Sequence, residues 1–334
     1  MGRLRRTVLA AWLILSFAFL GTAGAAEKVR FMLDWVPYGV FAGFYTALDK
    51  GYYSKAGLDV TIQRGFGGAS PAVSSKKVEF GIDSPLNILL GRNKGMKVKI
   101  VSMFRDKGMM TLFALKSSGI RTAKDLEGRK IGVTVGDALY STFKVFAQQV
   151  GLKKWEFVPV RPAAKNPSLL AKKVDAIATF TSVGVILRFL AAKKGDGIVE
   201  FLWSDYGVQL PTDGIVAHED TIRNRPDYIR KFVAATLKGN VYGIEHPKEA
   251  AQHFVKYFPE KKLKLEEAFW RVSIKHQWTA DVKPHGLGYI DPVKIKYSRD
   301  VGLKAYKDLD KSISELDLYT TKFLPSPLPK ANVP

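Results

Sequence analysis

Cysteine is absent from the 334-residue sequence. A chain without cysteine has no disulfide, no thiol nucleophile and no thiolate metal ligand. The absence is consistent with an exported protein but does not establish export, because many intracellular chains also lack disulfides. Thiol enzymes and cysteine-based zinc proteins are therefore excluded.

Histidine is nearly as scarce, with five residues that all lie between positions 218 and 285. His246 and His253 are seven positions apart, which is too far for the usual zinc pair at i and i+4 of a helix. We therefore predict no metal site and no cofactor, and we interpret the histidines as ordinary surface or half-buried residues. The five are His218, His246, His253, His276 and His285.

Long apolar runs are also missing, apart from one near the N-terminus, Val8 to Leu20. Arginines precede this run at positions 3, 5 and 6, and Ala23-Gly24-Ala25 follows it. The run is short for a membrane span of about 20 residues. A basic start, an apolar centre and small residues at the end are typical of a cleaved signal peptide. The sequence predicts a signal peptide over residues 1–26 and a periplasmic mature protein.

Basic residues are abundant, but no dense basic run is present. The formal net charge is +21 and falls to +18 when the three leader arginines are removed. The lysines are scattered in pairs such as Lys76-Lys77 and Lys172-Lys173, without interleaved aromatics. Nucleic acid is therefore not a predicted partner. The charge indicates a solvated basic surface and leaves an anionic ligand open.

Short β-type runs alternate with amphipathic helical segments through the mature chain, which is typical of an α/β protein with parallel sheets. About 308 mature residues favour two domains. Pro226 begins a strongly amphipathic helix. The predicted strands are Val29–Leu33, Leu58–Gln63, Val78–Ile82, Val98–Met103, Thr111–Lys116, Lys130–Val135, Phe157–Val160, Val174–Thr179, Ile198–Trp203 and Gly214–His218.

Polar and aromatic side chains follow four of these predicted strands. Ligands of open α/β sheets bind beyond the carboxyl ends of the strands, so we expect these side chains to share one cleft. Serine, threonine and aspartate are also common helix caps, so each loop alone has a purely structural explanation. The candidate ligand-binding residues are Asp34, Trp35, Tyr38, Phe41, Tyr45, Asp83, Ser84, Asn87, Gly136, Asp137, Tyr140 and Thr181.

Several motifs resemble one known family. They include Leu33-Asp34-Trp35-x-Pro37, Lys50-Gly51-Tyr52-Tyr53, Gly57-Leu58-Asp59-Val60 and Asp205-Tyr206-Gly207. The chain is similar over about residues 28–260 to the thiamine-pyrimidine (hydroxymethylpyrimidine) binding and synthesis family. That family includes periplasmic solute-binding proteins of ABC importers, and it is related to alkanesulfonate, taurine and nitrate binding proteins. The resemblance adds Tyr206 to the candidate residues.

The resemblance implies a type II periplasmic-binding-protein fold, with two α/β lobes, two crossover strands and a ligand cleft between the lobes. We expect a discontinuous lobe I over residues 27–115 and 212–300. Lobe II is then expected over residues 116–211, and a C-terminal helix with a proline-rich tail over residues 301–334.

The sequence departs from this family at informative positions. The pyrimidine-forming enzymes carry Lys and His where this chain has Asp83 and Asn87, and they carry a cysteine cluster that this chain lacks. These departures indicate a binding protein with no catalytic residues. Tyr38 and Phe41 stand where many members have Asn and His. Pyrimidine binders also carry a carboxylate after the strand that matches Val174–Thr179, and this chain has none there.

Three hypotheses for function remain open. The first is a monomeric solute-binding protein that delivers a small heteroaromatic solute, such as a pyrimidine precursor of thiamine, to the permease and ATPase of an ABC importer. The second keeps the fold but changes the ligand to an alkanesulfonate, taurine, nitrate or a similar organic anion. The third is a pyrimidine synthase or a hydrolase, which lacks a visible nucleophile–base pair.

The leader gives the first testable prediction. N-terminal sequencing of the exported protein should find Ala26 or Glu27 as the first residue, because the small-residue site ends there. A chain that retains Met1 after export would contradict the predicted cleavage.

Overall fold

The computed structural model describes residues 25–333, so the predicted signal peptide lies almost entirely outside the described residues. All ten strands predicted from the sequence are present, with ends that differ by a few residues. They are β1 (Glu27–Met32), β2 (Leu58–Gln63), β3 (Phe80–Asp83), β4 (Val98–Arg105), β5 (Met110–Leu115), β6 (Lys130–Val133), β7 (Glu156–Pro159), β8 (Ala176–Phe180), β9 (Ile198–Leu202) and β10 (Asp213–His218).

Helices connect most of the strands and also follow the last one. The helix predicted to begin at Pro226 is confirmed, and it is the longest of those described. The helices are α1 (Ala42–Asp49), α2 (Tyr52–Lys55), α3 (Ser70–Ser74), α4 (Pro85–Arg92), α5 (Ala138–Val150), α6 (Lys165–Leu170), α7 (Val183–Ala192), α8 (Glu219–Asn224), α9 (Pro226–Glu245), α10 (Pro247–Val255), α11 (Leu263–Gln277) and α12 (Pro292–Ala305).

The strands form two five-stranded sheets with equivalent topologies. The first has the order β2-β1-β3-β10-β4, and the second has the order β7-β6-β8-β5-β9. β10 and β5 occupy equivalent positions, and each is antiparallel to its two neighbours. The chain leaves the first sheet after β4 and returns to it at β10. The predicted α/β architecture with two sheets and two crossovers is confirmed.

The division between the sheets differs from the expectation at one strand. β5 pairs with β8 and β9, so residues 110–115 belong to the second sheet and not to lobe I. The sequence of an apolar strand does not show which sheet the strand joins. The expected boundary of lobe I at residue 115 therefore wrongly included β5. We assign lobe I to the first sheet, lobe II to the second, and the outgoing hinge to residues 106–109.

The C-terminal region also begins earlier than expected and packs on lobe I. α12 starts at Pro292 instead of near residue 301. The tail then forms a parallel bridge between Tyr319 and Ile100 of β4, and the Leu287 amide donates to the Pro329 carbonyl at 2.8 Å. No helix within residues 25–333 is both long and apolar enough to cross a bilayer.

Aromatic packing builds a separate core in each lobe. In lobe I, Phe232 of α9 stacks on Phe80 of β3 at 4.1 Å and on Tyr53 at 5.5 Å. In lobe II, Phe146 of α5 stacks on Trp203 at 5.3 Å. Burial of such rings, together with the aliphatic side chains around them, contributes to the driving force for folding of each lobe.

The same type of turn occurs once in each lobe. α3 and α6 are each followed by Lys-Lys-Val, and the first lysine has a left-handed backbone, with φ of 57° at Lys76 and 56° at Lys172. The second lysine then closes the turn, because the Lys77 amide donates to Ala72 and the Lys173 amide to Ser168, both at 2.9 Å. Equivalent strand orders are thus accompanied by equivalent local geometry.

This turn gives a stability prediction. Lys172→Gly should raise the free energy of unfolding by about 0.5–1 kcal/mol, because glycine adopts positive φ without the steric cost of a Cβ. Lys173→Gly is the matched control, since Lys173 has no positive φ, and it should give no gain. Chemical denaturation measures both variants. Equal effects at the two positions would contradict the assigned strain.

Candidate ligand-binding cleft

Charged side chains gather at the edge of the first sheet that faces lobe II. β3 ends at Asp83, β4 ends at Arg105, and the antiparallel β10 begins beside them at Asp213. Asp34 lies just beyond β1. Both crossings to lobe II leave from this edge, and the matching edge of the second sheet carries the ends of β8 and β9. The cleft between the two edges is the candidate site.

Arg105 is the anchor of this edge. Its guanidinium is buried, and it donates from Nη1 to Asp213 at 2.5 Å, from Nη2 to the Val40 carbonyl at 3.2 Å, and from Nε to the Ser273 hydroxyl at 3.0 Å. A buried ion pair needs such additional hydrogen bonds to offset the loss of hydration. Arg105 thereby joins both crossover strands to the segment before α1 and to α11.

Asp34 lies beside this pair with an unused acceptor. Its Oδ1 atom is buried and has no hydrogen-bond partner within the described residues. Burial, and next the negative charge of Asp213, raise the pKa of Asp34 well above its usual value, while Arg105 opposes the rise. Leaving a buried carboxylate oxygen unpaired costs free energy, so this atom is suited to accept a hydrogen bond from a bound molecule.

A glycine-rich loop after β2 binds the backbone of Asp34, and the sequence analysis did not include this loop in the candidate site. The Asp34 carbonyl accepts from the Gly67 amide at 2.7 Å and the Gly68 amide at 3.3 Å. A Cβ at Gly68, which has φ of +105°, would lie 2.6 Å from Asp83, so a side chain would disturb the loop. The spacing Gly65-Phe66-Gly67-Gly68 directly after β2 was the signal available in the sequence.

Two aromatic rings stand exposed above this loop. Trp35 is 42% exposed and Phe66 is 66% exposed, and their rings meet edge to face at 6.0 Å. Large apolar side chains are seldom left in water without a partner, so a pair of them at a cleft edge points to contact with a ligand. The contact of Trp35 with a ligand stays a prediction.

The predicted ligand contacts at Asp83, Ser84 and Asn87 instead satisfy one another. Asp83 accepts from the amides of Ser70 and Ser84 and from Asn87 Nδ2, each at 2.9 Å. Ser84 caps α4 by accepting from the Asn87 amide at 3.1 Å. Both oxygens of Asp83 are thus occupied by internal donors, and the group holds the Gly68–Ser70 segment in place.

Phe41 and Tyr45 are corrections to the predicted site, because both side chains are buried in the lobe I core. Tyr45 packs edge to face against Phe254 at 5.1 Å and Phe258 at 5.3 Å. The aromatic spacing in this segment does not show which face of α1 points inward. Tyr38, in contrast to Phe41 and Tyr45, contacts lobe II. Its hydroxyl lies 3.2 Å from the Ser182 hydroxyl.

On the lobe II side, the predicted loop before α5 is a helix cap beside a buried lysine. Asp137 accepts from the Tyr140 amide at 2.7 Å. Lys165 is 6% exposed; its Nζ donates to the Ala178 carbonyl at 2.8 Å and lies 3.5 Å from Asp137. Burial lowers the pKa of Lys165, and the nearby Asp137 opposes the decrease. Gly136 adopts φ of +86° before the cap, with open space where a Cβ would stand.

Two exposed aromatic rings lie at the same edge of lobe II. Thr181 and Tyr206, which were also predicted to contact the ligand, make contacts within the protein instead. Tyr140 and Phe180 are 37% and 40% exposed. Thr181 instead binds the hinge, since its amide and hydroxyl both donate to the Met109 carbonyl. Tyr206 packs edge to face on Phe146 at 5.6 Å. Within residues 25–333, no three His, Asp or Glu side chains cluster as metal ligands would.

A family model described as NMT1/THI5 like matches residues 39–250. The chain belongs to this family. It is 24% identical to the riboflavin-binding protein RibY of Chloroflexus aurantiacus, over 90% of this chain and 86% of that one. It is 25% identical to the formylaminopyrimidine-binding protein of Halalkalibacterium halodurans, over 73% and 76% of the two chains.

Family members also include enzymes. The chain is 25% identical to the 4-amino-5-hydroxymethyl-2-methylpyrimidine phosphate synthase THI11 of Saccharomyces cerevisiae, over 71% of this chain and 73% of that one. Among solved structures, the periplasmic aliphatic sulphonate binding protein SsuA of Escherichia coli aligns with a TM-score of 0.68 at 13% identity, over 88% and 92% of the two chains. This likeness confirms the periplasmic-binding-protein fold.

The anchoring role of Arg105 predicts a large stability effect. Arg105→Gln should lower the free energy of unfolding by about 3–5 kcal/mol, because it leaves Asp213 buried without its partner. Arg188→Gln removes the exposed pair with Glu200 and should cost at most about 1 kcal/mol. Urea denaturation of both variants gives the comparison, and equal losses would contradict the assigned role of Arg105.

Proposed function

We propose that this protein is an extracytoplasmic solute-binding protein that binds a flat heteroaromatic molecule carrying an N–H donor. One observation carries the proposal: Asp34 has a buried, unpaired Oδ1, and the next residue, Trp35, leaves its ring exposed beyond the same end of β1. An acceptor beside an exposed ring matches a ligand that has a donor on its edge and an apolar face.

The charges of the lobe I edge support a donor or a cation as the ligand group. Asp213 and Asp83 both raise the pKa of Asp34, and the Arg105 guanidinium, which is paired with Asp213, opposes them. An anionic group close to Asp34 would meet carboxylates in a region of low dielectric, where repulsion is strong. A ligand N–H would instead satisfy the unpaired oxygen and remove the cost of leaving it unpaired.

The exposed rings support a flat ligand. Trp35 and Phe66 lie in loops of lobe I, and in lobe II Tyr140 lies in the first turn of α5 and Phe180 ends β8. Each ring stacked on a planar ligand contributes on the order of 1 kcal/mol beyond the burial of area. Two relatives are named as a riboflavin-binding and a formylaminopyrimidine-binding protein, and both of these ligands are nitrogen heteroaromatics.

We further propose that the protein is not an enzyme, is exported and works as a monomer with the permease and ATPase of an ABC importer. The synthase relatives make catalysis the competing possibility, but Asp83 and Asn87 bind each other and the loop instead of facing a substrate. The signal-like leader supports export. Incubation with pyridoxal phosphate followed by mass spectrometry should yield no new pyrimidine product.

An organic anion is the second candidate ligand, and Lys165 is the observation that favours it. A lysine buried at the cleft side of lobe II could neutralise a sulfonate. Its charge is already matched by Asp137 at 3.5 Å, which is why we prefer the heteroaromatic ligand. Isothermal titration with an alkanesulfonate tests this alternative.

Binding by variants of the two central residues tests the proposal. Trp35→Ala should weaken riboflavin or formylaminopyrimidine binding by about 1–3 kcal/mol through lost stacking and burial, and Trp35→Phe should weaken it less because a ring face remains. Tyr257→Ala is the matched control, because Tyr257 is also 42% exposed but lies after α10 in lobe I.

Isothermal titration gives the affinities of these variants. Unchanged affinity in a folded Trp35→Ala variant, or an equal loss in Tyr257→Ala, would end the stacking proposal.

The pKa of Asp34 gives a pH prediction. Because this pKa is raised, free Asp34 holds its proton to higher pH than an unfolded aspartate. A neutral N–H donor binds better to the ionised form, so its affinity should increase as pH rises through the raised pKa and then level off. Asp34→Asn should bind with little dependence on pH. Titration of riboflavin across pH measures this, and identical pH profiles in both proteins would contradict it.

Stability should change in the opposite direction with pH. Since the folded pKa of Asp34 exceeds the unfolded value of 3.8, ionisation of this group reduces stability as pH rises from that value through the raised pKa. Asp34→Asn removes this contribution. Thermal melts over that pH range should therefore show that the melting temperature falls less with rising pH in Asp34→Asn than in the unmutated protein.

A further inference from the structure

One side-chain hydrogen bond crosses the cleft directly. The hydroxyls of Tyr38 in lobe I and Ser182 in lobe II lie 3.2 Å apart, although the residues are separated by 144 positions in sequence. Ser182 is 4% exposed and immediately precedes α7. The bond therefore joins the lobes at a buried point and not at the rim.

The position of Ser182 places this bond at the hinge end of the cleft. The neighbouring Thr181 donates twice to the carbonyl of Met109, from its amide at 2.9 Å and from its hydroxyl at 3.2 Å. Met109 belongs to the hinge between β4 and β5. The Tyr38–Ser182 bond thus forms close to the axis about which the lobes would turn.

Tyr38 is held firmly on the lobe I side. Its ring meets Phe41 at 5.4 Å and Phe269 at 5.1 Å, both edge to face. The following Gly39 amide donates to the buried carboxylate of Glu266 at 2.5 Å, and a Cβ at Gly39 would lie 2.1 Å from the Glu266 carbonyl oxygen. A ring fixed in this way transmits any movement of Ser182 to lobe I as a whole.

The hydroxyl of Tyr38 also keeps its proton. Burial raises the pKa of Tyr38 to about 12, against the opposing effect of Arg105. The other charged groups that act on it are Asp34 and Asp213, and both favour the neutral phenol. Tyr38 is therefore a hydroxyl donor or acceptor at every pH at which the protein would work.

We propose that Tyr38 and Ser182 form a latch that holds the two lobes together at the hinge end of the cleft and so positions the lobes around a ligand. This inference rests on the proposed function for the identity of what is bound, but the latch itself concerns only the distance between the lobes.

The absence of cysteine makes the latch directly measurable. Spin labels at Asp59→Cys on lobe I and Lys144→Cys on lobe II occupy exposed positions, and no native thiol competes for the label. Pulsed electron–electron double resonance between the two labels then gives the distribution of interlobe distances for the mature chain. The measurement needs no ligand, so it succeeds or fails independently of the proposed function.

Tyr38→Phe keeps the ring and removes only the hydroxyl, and Ser182→Ala removes the partner. Each should increase the ratio of long to short interlobe distances about three- to tenfold, the effect of losing one hydrogen bond. The double variant should show no more than either single variant, because both remove the same bond.

Tyr53→Phe is the matched control. It removes a buried tyrosine hydroxyl bonded to Thr236 at 3.0 Å within lobe I, so it should lower the melting temperature and leave the interlobe distances unchanged. The latch would be overturned if both single variants gave the same interlobe distance distribution as the unmutated protein. Additive effects in the double variant, or an equal shift of the distances in Tyr53→Phe, would overturn it as well.

Discussion

The ion pair between Arg105 and Asp213 is the contact on which the cleft depends. These residues stand 108 positions apart, at the end of the strand that leaves lobe I and the start of the strand that returns to it. The pair fixes the two chain crossings against each other and, through Val40 and Ser273, against the helices behind them. Asp34 lies close enough for Asp213 to affect its protonation, so the anchor also sets the electrostatic character of the candidate site.

The two lobes share a strand order but not a chemistry. The Lys-Lys-Val turns and the antiparallel fourth strand in each sheet order show that one architecture is used twice. At the cleft edge, lobe I presents Asp34 beside the ion pair of Arg105 and Asp213, whereas lobe II presents a helix cap and a lysine matched by one aspartate. Equivalent backbones therefore leave specificity to the few side chains at the strand ends, as is general for this kind of fold.

The sequence predicted the strands and the position of Asp34 and Trp35 just beyond β1, because alternating β-type runs and the residues that end them are local patterns. Burial of Phe41 and Tyr45 was not predictable in the same way, since several aromatic positions in and just before α1 satisfy the pattern equally. Arg105 and Asp213 were missed because their pairing depends on strand register between distant segments. The lobe to which β5 belongs depends on the same long-range pairing.

We propose that the cleft accepts a heteroaromatic ligand through a donor to Asp34 and a ring on Trp35. Native mass spectrometry of the mature protein, mixed with equal amounts of riboflavin, a formylaminopyrimidine and an alkanesulfonate, shows which compound is bound. We expect a one-to-one complex with a heteroaromatic compound. Retention of the sulfonate, with neither heteroaromatic compound bound, would contradict it.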